Sequence, residues 1–250
     1  MTVARPIIGF TSLIILGAGI LFSFFTILSG IANVRPFNLT YFLEADTTGI
    51  DGARNPARWT FFKVCSVVNG RNGNCGEAHA ALPFDPPRNF GTTTGVPATF
   101  IGTHHYYYLS RFMFAFYLIA LFFACIALLT GCLAMCSRLG SYLTGATCSV
   151  ALFFQAITAS LMTACYVQGR DAFQRNGESA RYGRYAFGWT WGAFAAYLVC
   201  TVLYCVGGSV GKNKTDRTAK KSMFSRKRST RSRGSFIDSE SQRRVKDEYE

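Results

Sequence analysis

Charge is missing from four long stretches of this chain. No Asp, Glu, His, Lys or Arg occurs in residues 6–34, 112–136, 139–169 or 185–211. That absence excludes surface helices of a soluble protein, which carry a polar face. It also removes the intramembrane ionisable groups on which transport and proton-relay chemistry depend. Histidine is scarce too: His79, His104 and His105 are the only ones. They lie between the first two uncharged runs with no carboxylate or cysteine at metal-ligand spacing, so neither a metal nor a cofactor is expected. Acidic residues number 13 against 26 Lys and Arg. No acid–base pair or activated nucleophile stands out, and the reading is of a non-enzyme.

What is present is apolar length. Half of the residues are hydrophobic and 15% aromatic, and each uncharged run exceeds the roughly 20 residues that carry a helix across about 30 Å of hydrocarbon. The fold class expected is an all-α transmembrane four-helix bundle with a small disulfide-stapled, β-hairpin-containing loop domain. The spans are placed at 6–31, 112–136, 143–168 and 185–209. Around them fall an N-terminus at 1–5, a loop domain at 32–110, a short turn at 137–142, a second loop at 169–184 and a basic tail at 210–250. A cleaved signal peptide does not fit the first run, which is too long for an h-region and has only Arg5 before it.

Sidedness follows from the basic residues. Thirteen of the 26 lie after Gly211, which places the tail, and with it Met1, in the cytosol and both loops outside. Four arginines in the short second loop, Arg170, Arg175, Arg181 and Arg184, run against that rule. Cysteine usage agrees with the tail. Of nine cysteines only Cys65 and Cys75 lie outside the spans and their ends, in the loop assigned to the oxidising side, so a disulfide between them is expected. Cys125, Cys132, Cys136, Cys148, Cys165, Cys200 and Cys205 read as small hydrophobes. Cys132 and Cys136 also stand where a palmitoylated thiol would sit.

Within the first loop, Asn38-Leu39-Thr40 forms a glycosylation sequon at Asn38. Trp59 to Val68 reads as one strand, and Asn69-Gly70 is a hairpin turn signal. The prolines from Pro83 to Pro97 mark an irregular return to the membrane at Tyr106-Tyr107-Tyr108, which reads as an interfacial aromatic anchor.

Arg58-Trp59-Thr60, Phe62, Cys65, the Asn-Gly turn, Cys75-Gly76, the run from Pro83 to Pro86, Asn89-Phe90-Gly91-Thr92-Thr93 and the segment Tyr106 to Arg111 resemble the signature of the fungal Sur-seven/PalI family. The spacing aromatic-x2-Cys-x9-Cys is more distantly similar to the claudin loop signature, with Phe62 where claudins carry tryptophan. The resemblance implies a plasma-membrane protein of static, eisosome-associated cortical domains, linked to sphingolipid balance, endocytosis and cell-wall organisation. It implies ambient-pH signalling, as a sensor or chaperone subunit, if the PalI branch applies.

Two further patterns suggest partners. Gly188, Gly192 and Ala196 in the fourth span, and Ser141, Gly145 and Ser149 in the third, form small-residue stripes that let helices approach, within the bundle or between protomers. Gln155 is placed to hydrogen-bond between helices. In the tail, Lys220, Lys221, Arg226, Lys227, Arg228, Arg231 and Arg233 form a basic cluster suited to anionic lipid. Phosphorylation at Ser225, Ser229 or Ser235 would weaken that attraction. The partners expected are membrane lipids, including anionic and sphingolipid-rich domains, further copies of the chain and cortical coat proteins. Membrane insertion excludes nucleic acid.

Overall fold

The structure, a computed structural model, describes residues 4–32 and 34–209. The tail cluster from Lys220 to Arg233 and the serines Ser225, Ser229 and Ser235 lie outside the described residues.

Four long helices form the bundle: α1 Ala4–Ile27, α3 His105–Cys136, α4 Arg138–Arg175 and α5 Arg184–Ser209. A short helix, α2 Pro86–Phe90, lies between the first two. All four long helices are long and apolar enough to cross a membrane. In the bundle α1 packs against α3 and α5, and α4 against the same two. The 137–142 segment is helical but for Ser137, whose side chain accepts the N–H of Gly140 and so starts α4 directly after α3.

At one end five short strands make an antiparallel sheet in the order β4-β3-β2-β1-β5. They are β1 Leu43–Ala45, β2 Ala57–Trp59, β3 Val64–Val68, β4 Arg71–Gly73 and β5 Ala180–Tyr182. The single strand expected from Trp59 to Val68 is broken at Thr60–Lys63. Thr60 causes the break: its hydroxyl accepts the N–H of Lys63 at 3.1 Å and donates to the Lys63 carbonyl at 2.9 Å, folding the chain into a tight turn. The next turn matches its sequence signal. Asn69 and Gly70 both have positive φ, at 51° and 76°, and join β3 to β4 in the geometry hairpins favour.

Cys65 and Cys75 are bonded across a sequence separation of 10. Closing so short a loop restricts the unfolded chain by about 2–3 kcal/mol. Cys75→Ser should therefore lower the melting temperature of the purified protein, and reduction of the wild type should lower it by the same amount. A variant melting with the oxidised wild type would show that the staple adds nothing.

The sheet is joined to the bundle by an aromatic core rather than by a flexible stalk. Phe42 stacks on Tyr166 of α4, with ring centroids 4.9 Å apart, and meets Phe61 edge-on at 4.6 Å. Phe84 contacts Phe100, Tyr106 and Tyr166 at 5.2–5.7 Å. The tyrosine run is thereby split. Tyr106, expected at the interface, is 7% exposed and belongs to this core. Tyr107 lies under the guanidinium groups of Arg88 and Arg111, and Tyr108 is exposed.

The small-residue stripes divide between inside and outside. Gly192 faces Phe22 of α1, where an added Cβ would come within 3.2 Å of the ring. Ala196 meets Gly19, whose added Cβ would stand 3.0 Å from that of Ala196 and 2.8 Å from Tyr197. Gly145 packs on Tyr204 and Cys205, and the Ser141 hydroxyl donates to the Tyr204 carbonyl at 2.9 Å. Gly188 and Ser149 are exposed on the helix surface. Gln155 donates to the Thr190 carbonyl of α5 at 3.1 Å.

Candidate functional site

The register of the sheet places Glu44 opposite Arg58 on one side and opposite Arg181 on the other. A carboxylate on β1, between β2 and β5, thus stands between two guanidinium groups in one cross-strand row. Arg58 Nε donates to Glu44 Oε2 at 2.7 Å, and Arg181 Nη2 lies 2.7 Å from Oε1. The two pairs differ in setting. Arg58 is buried, its side chain 4% exposed, whereas that of Arg181 is 70% exposed.

Burial obliges Arg58 to find partners beyond Glu44. Its Nη1 donates to the Gly70 carbonyl and to Asn72 Oδ1, each at 3.2 Å, and its guanidinium lies 4.2 Å over the Tyr41 ring. Asn72 in turn donates to the Thr40 carbonyl at 2.9 Å. Burial and the neighbouring Glu44 carboxylate push the Tyr41 phenol up, so it stays neutral beside the cluster.

Trp59, next to Arg58 on β2, points to the opposite face and is 1% exposed. Its ring meets Phe84 at 5.2 Å and both Phe90 and Phe173 at 5.8 Å. The indole N–H donates to Asn89 Oδ1 at 2.9 Å, and Asn89 Nδ2 donates to the Pro83 carbonyl at 3.2 Å. One residue thus ties β2, α2 and α4 together.

Beside the charged row opens a cleft of about 740 Å³ between the sheet and the ends of α4 and α5. Arg58, Arg170, Arg181 and Arg184 line it, together with tyrosines and Leu39. Among the described residues no group of three or more His, Cys, Asp or Glu is placed to hold a metal ion.

Residues 8–203 match the sequence model of the SUR7/PalI family. The chain belongs to the SUR7/PalI family. It is similar to the protein SUR7 of Candida albicans, 39% identical over 205 residues that cover 81% of this chain and 75% of that protein. It is similar to the SUR7 family protein FMP45 of Saccharomyces cerevisiae, 39% identical over 183 residues that cover 71% of this chain and 59% of that one. An uncharacterized plasma membrane protein of the same yeast is 33% identical over 207 residues, 80% of this chain and 69% of its own. The chain therefore spans less than two thirds of FMP45.

The residues that carry the SUR7/PalI resemblance converge on one end of the bundle. Arg58 and Trp59 anchor the two faces of β2, and Thr60 makes the turn. Thr60 also packs against Gly30, whose φ of +80° and lack of a side chain let the chain leaving α1 pass it. Phe62 meets Phe114 of α3 edge-on at 5.8 Å, and the Gly76 N–H donates to the Val64 carbonyl at 2.9 Å. Asn38, the sequon residue, is buried, 6% exposed, in a 3-10 turn.

Glu44 and Arg181 carry no local sequence signal, because their partnership spans 137 residues. The second loop forms β5, and the odd richness of arginine in it was the one trace of that role.

Proposed function

We propose that the protein is a non-enzymatic structural organiser of static plasma-membrane domains of the eisosome-associated kind. In this reading it contributes to sphingolipid balance, endocytosis and cell-wall organisation. Four spans pack laterally with further copies, the sheet faces outward, and both termini lie in the cytosol, where the basic tail engages anionic lipid and cortical coat proteins. The family relationship, and a relative named as a plasma membrane protein, support the location. The tail charge and the Cys65–Cys75 disulfide support the sidedness.

The observation that carries the reading is the rigid joint at Trp59, which makes the sheet and the bundle one body. Such a body presents a fixed outer surface and fixed apolar flanks, as repeated lateral packing requires. Crosslinking of the full-length protein in living cells tests it. A ladder of multiples is expected, and a single monomer band under efficient crosslinking would contradict lateral assembly.

A further inference from the structure

The cleft beside the Glu44 row holds more positive charge than its carboxylates neutralise. Four guanidinium groups line it. Glu44 serves Arg58 and Arg181, and Asp171 serves Arg170 at 2.7 Å. Arg184 has no ion-pair partner among the described residues. Two carboxylates against four guanidinium groups leave two positive charges in excess.

Arg184 is also the first residue of α5, whose first turn contains no acidic side chain. A helix N-terminus carries about half a positive charge. A cation there is unfavourable alone and favourable once an anion sits between it and the open N–H groups. The cleft's level in the molecule narrows the choice of anion. Its wall is formed where α4 and α5 reach the end of their apolar stretches, with Leu39, Tyr182 and Tyr185 alongside. Tyrosines and arginines at that level face the headgroup layer of a bilayer.

We propose that this cleft binds the phosphate of an anionic lipid headgroup from the leaflet on the sheet side. Arg184 and the exposed edge of Arg181 are its main ligands, with Arg170 completing the cradle from α4. Guanidinium forks suit phosphate oxygens bidentately, which an ammonium group does not match. The site gives a physical reason for three of the four arginines, Arg170, Arg181 and Arg184, in a segment where charge sidedness disfavours them. It does not rest on the lateral-assembly reading, which would survive its failure.

The test uses the full-length protein purified in detergent and titrated with phosphatidylglycerol, phosphatidylcholine or inorganic phosphate, with bound species counted by native mass spectrometry. One phosphatidylglycerol should be retained in preference to phosphatidylcholine, and Arg184→Gln should weaken that binding about tenfold or more, as loss of a charged hydrogen-bond donor does. Arg170→Gln is a second variant with the same expected direction. Because the basic tail also attracts anionic lipid, the comparison is repeated with the basic residues from Lys220 to Arg233 changed to Gln, and the decrement at Arg184 should persist. Equal affinity for the two lipids, or unchanged binding in both arginine variants, would overturn the site. Occupancy by inorganic phosphate without retention of lipid would overturn its assignment to the membrane.

Discussion

Glu44→Ala is expected to destabilise the protein by about 3–5 kcal/mol, the cost of leaving a buried charge without its counter-ion. Arg58 would keep the Gly70 carbonyl and Asn72 Oδ1, both neutral acceptors, inside a site that is 4% exposed. Arg181 would lose the same carboxylate at little cost, because its side chain is 70% exposed and water replaces the partner. The asymmetry gives the prediction its signature. Thermal denaturation of the purified protein should show a large loss for Glu44→Ala and a loss below about 1 kcal/mol for Arg181→Ala. Glu44→Gln, which keeps an acceptor but not the charge, should fall between them. Comparable small losses in all three would mean that Arg58 is not held by charge.

Trp59→Ala should be about as damaging, at roughly 3–5 kcal/mol, the range for emptying a large aromatic site in a packed core. The indole is 1% exposed and touches Phe84, Phe90 and Phe173, which are held by the α2 segment on one side and by α4 on the other and cannot all close on the vacated space. Trp59→Phe separates packing from hydrogen bonding. It keeps most of the ring contacts and loses the bond to Asn89, so it should cost only about 1 kcal/mol. Limited proteolysis reads the consequence for the joint. In Trp59→Ala the segment from Pro83 to Phe100 should be cut while the bundle stays intact, and equal resistance to that of the wild type would refute the keystone role.

The bundle was legible in the sequence because each span is an uninterrupted apolar run, a signal that needs no knowledge of the partner helix. The disulfide was legible by compartment, since Cys65 and Cys75 alone stand outside the membrane segments. The sheet was only half legible. Asn69-Gly70 announced its hairpin locally, but β1 and β5 are three residues each and owe their extended shape to pairing with one another across the chain. The break at Thr60 was hidden because the aromatic and β-branched residues around it favour a strand, while one hydroxyl bonding to its own backbone decides for a turn. Tyr106 was misplaced for a related reason. Three consecutive tyrosines look alike in sequence, but helix geometry directs one inward and leaves the next two at the surface.

The organiser claim is tested most directly by fusing a fluorescent protein after Glu250 and following photobleached regions of the cell surface over minutes. The account predicts discrete cortical patches whose bleached signal fails to recover on that timescale. A uniform surface signal that refills quickly would contradict it.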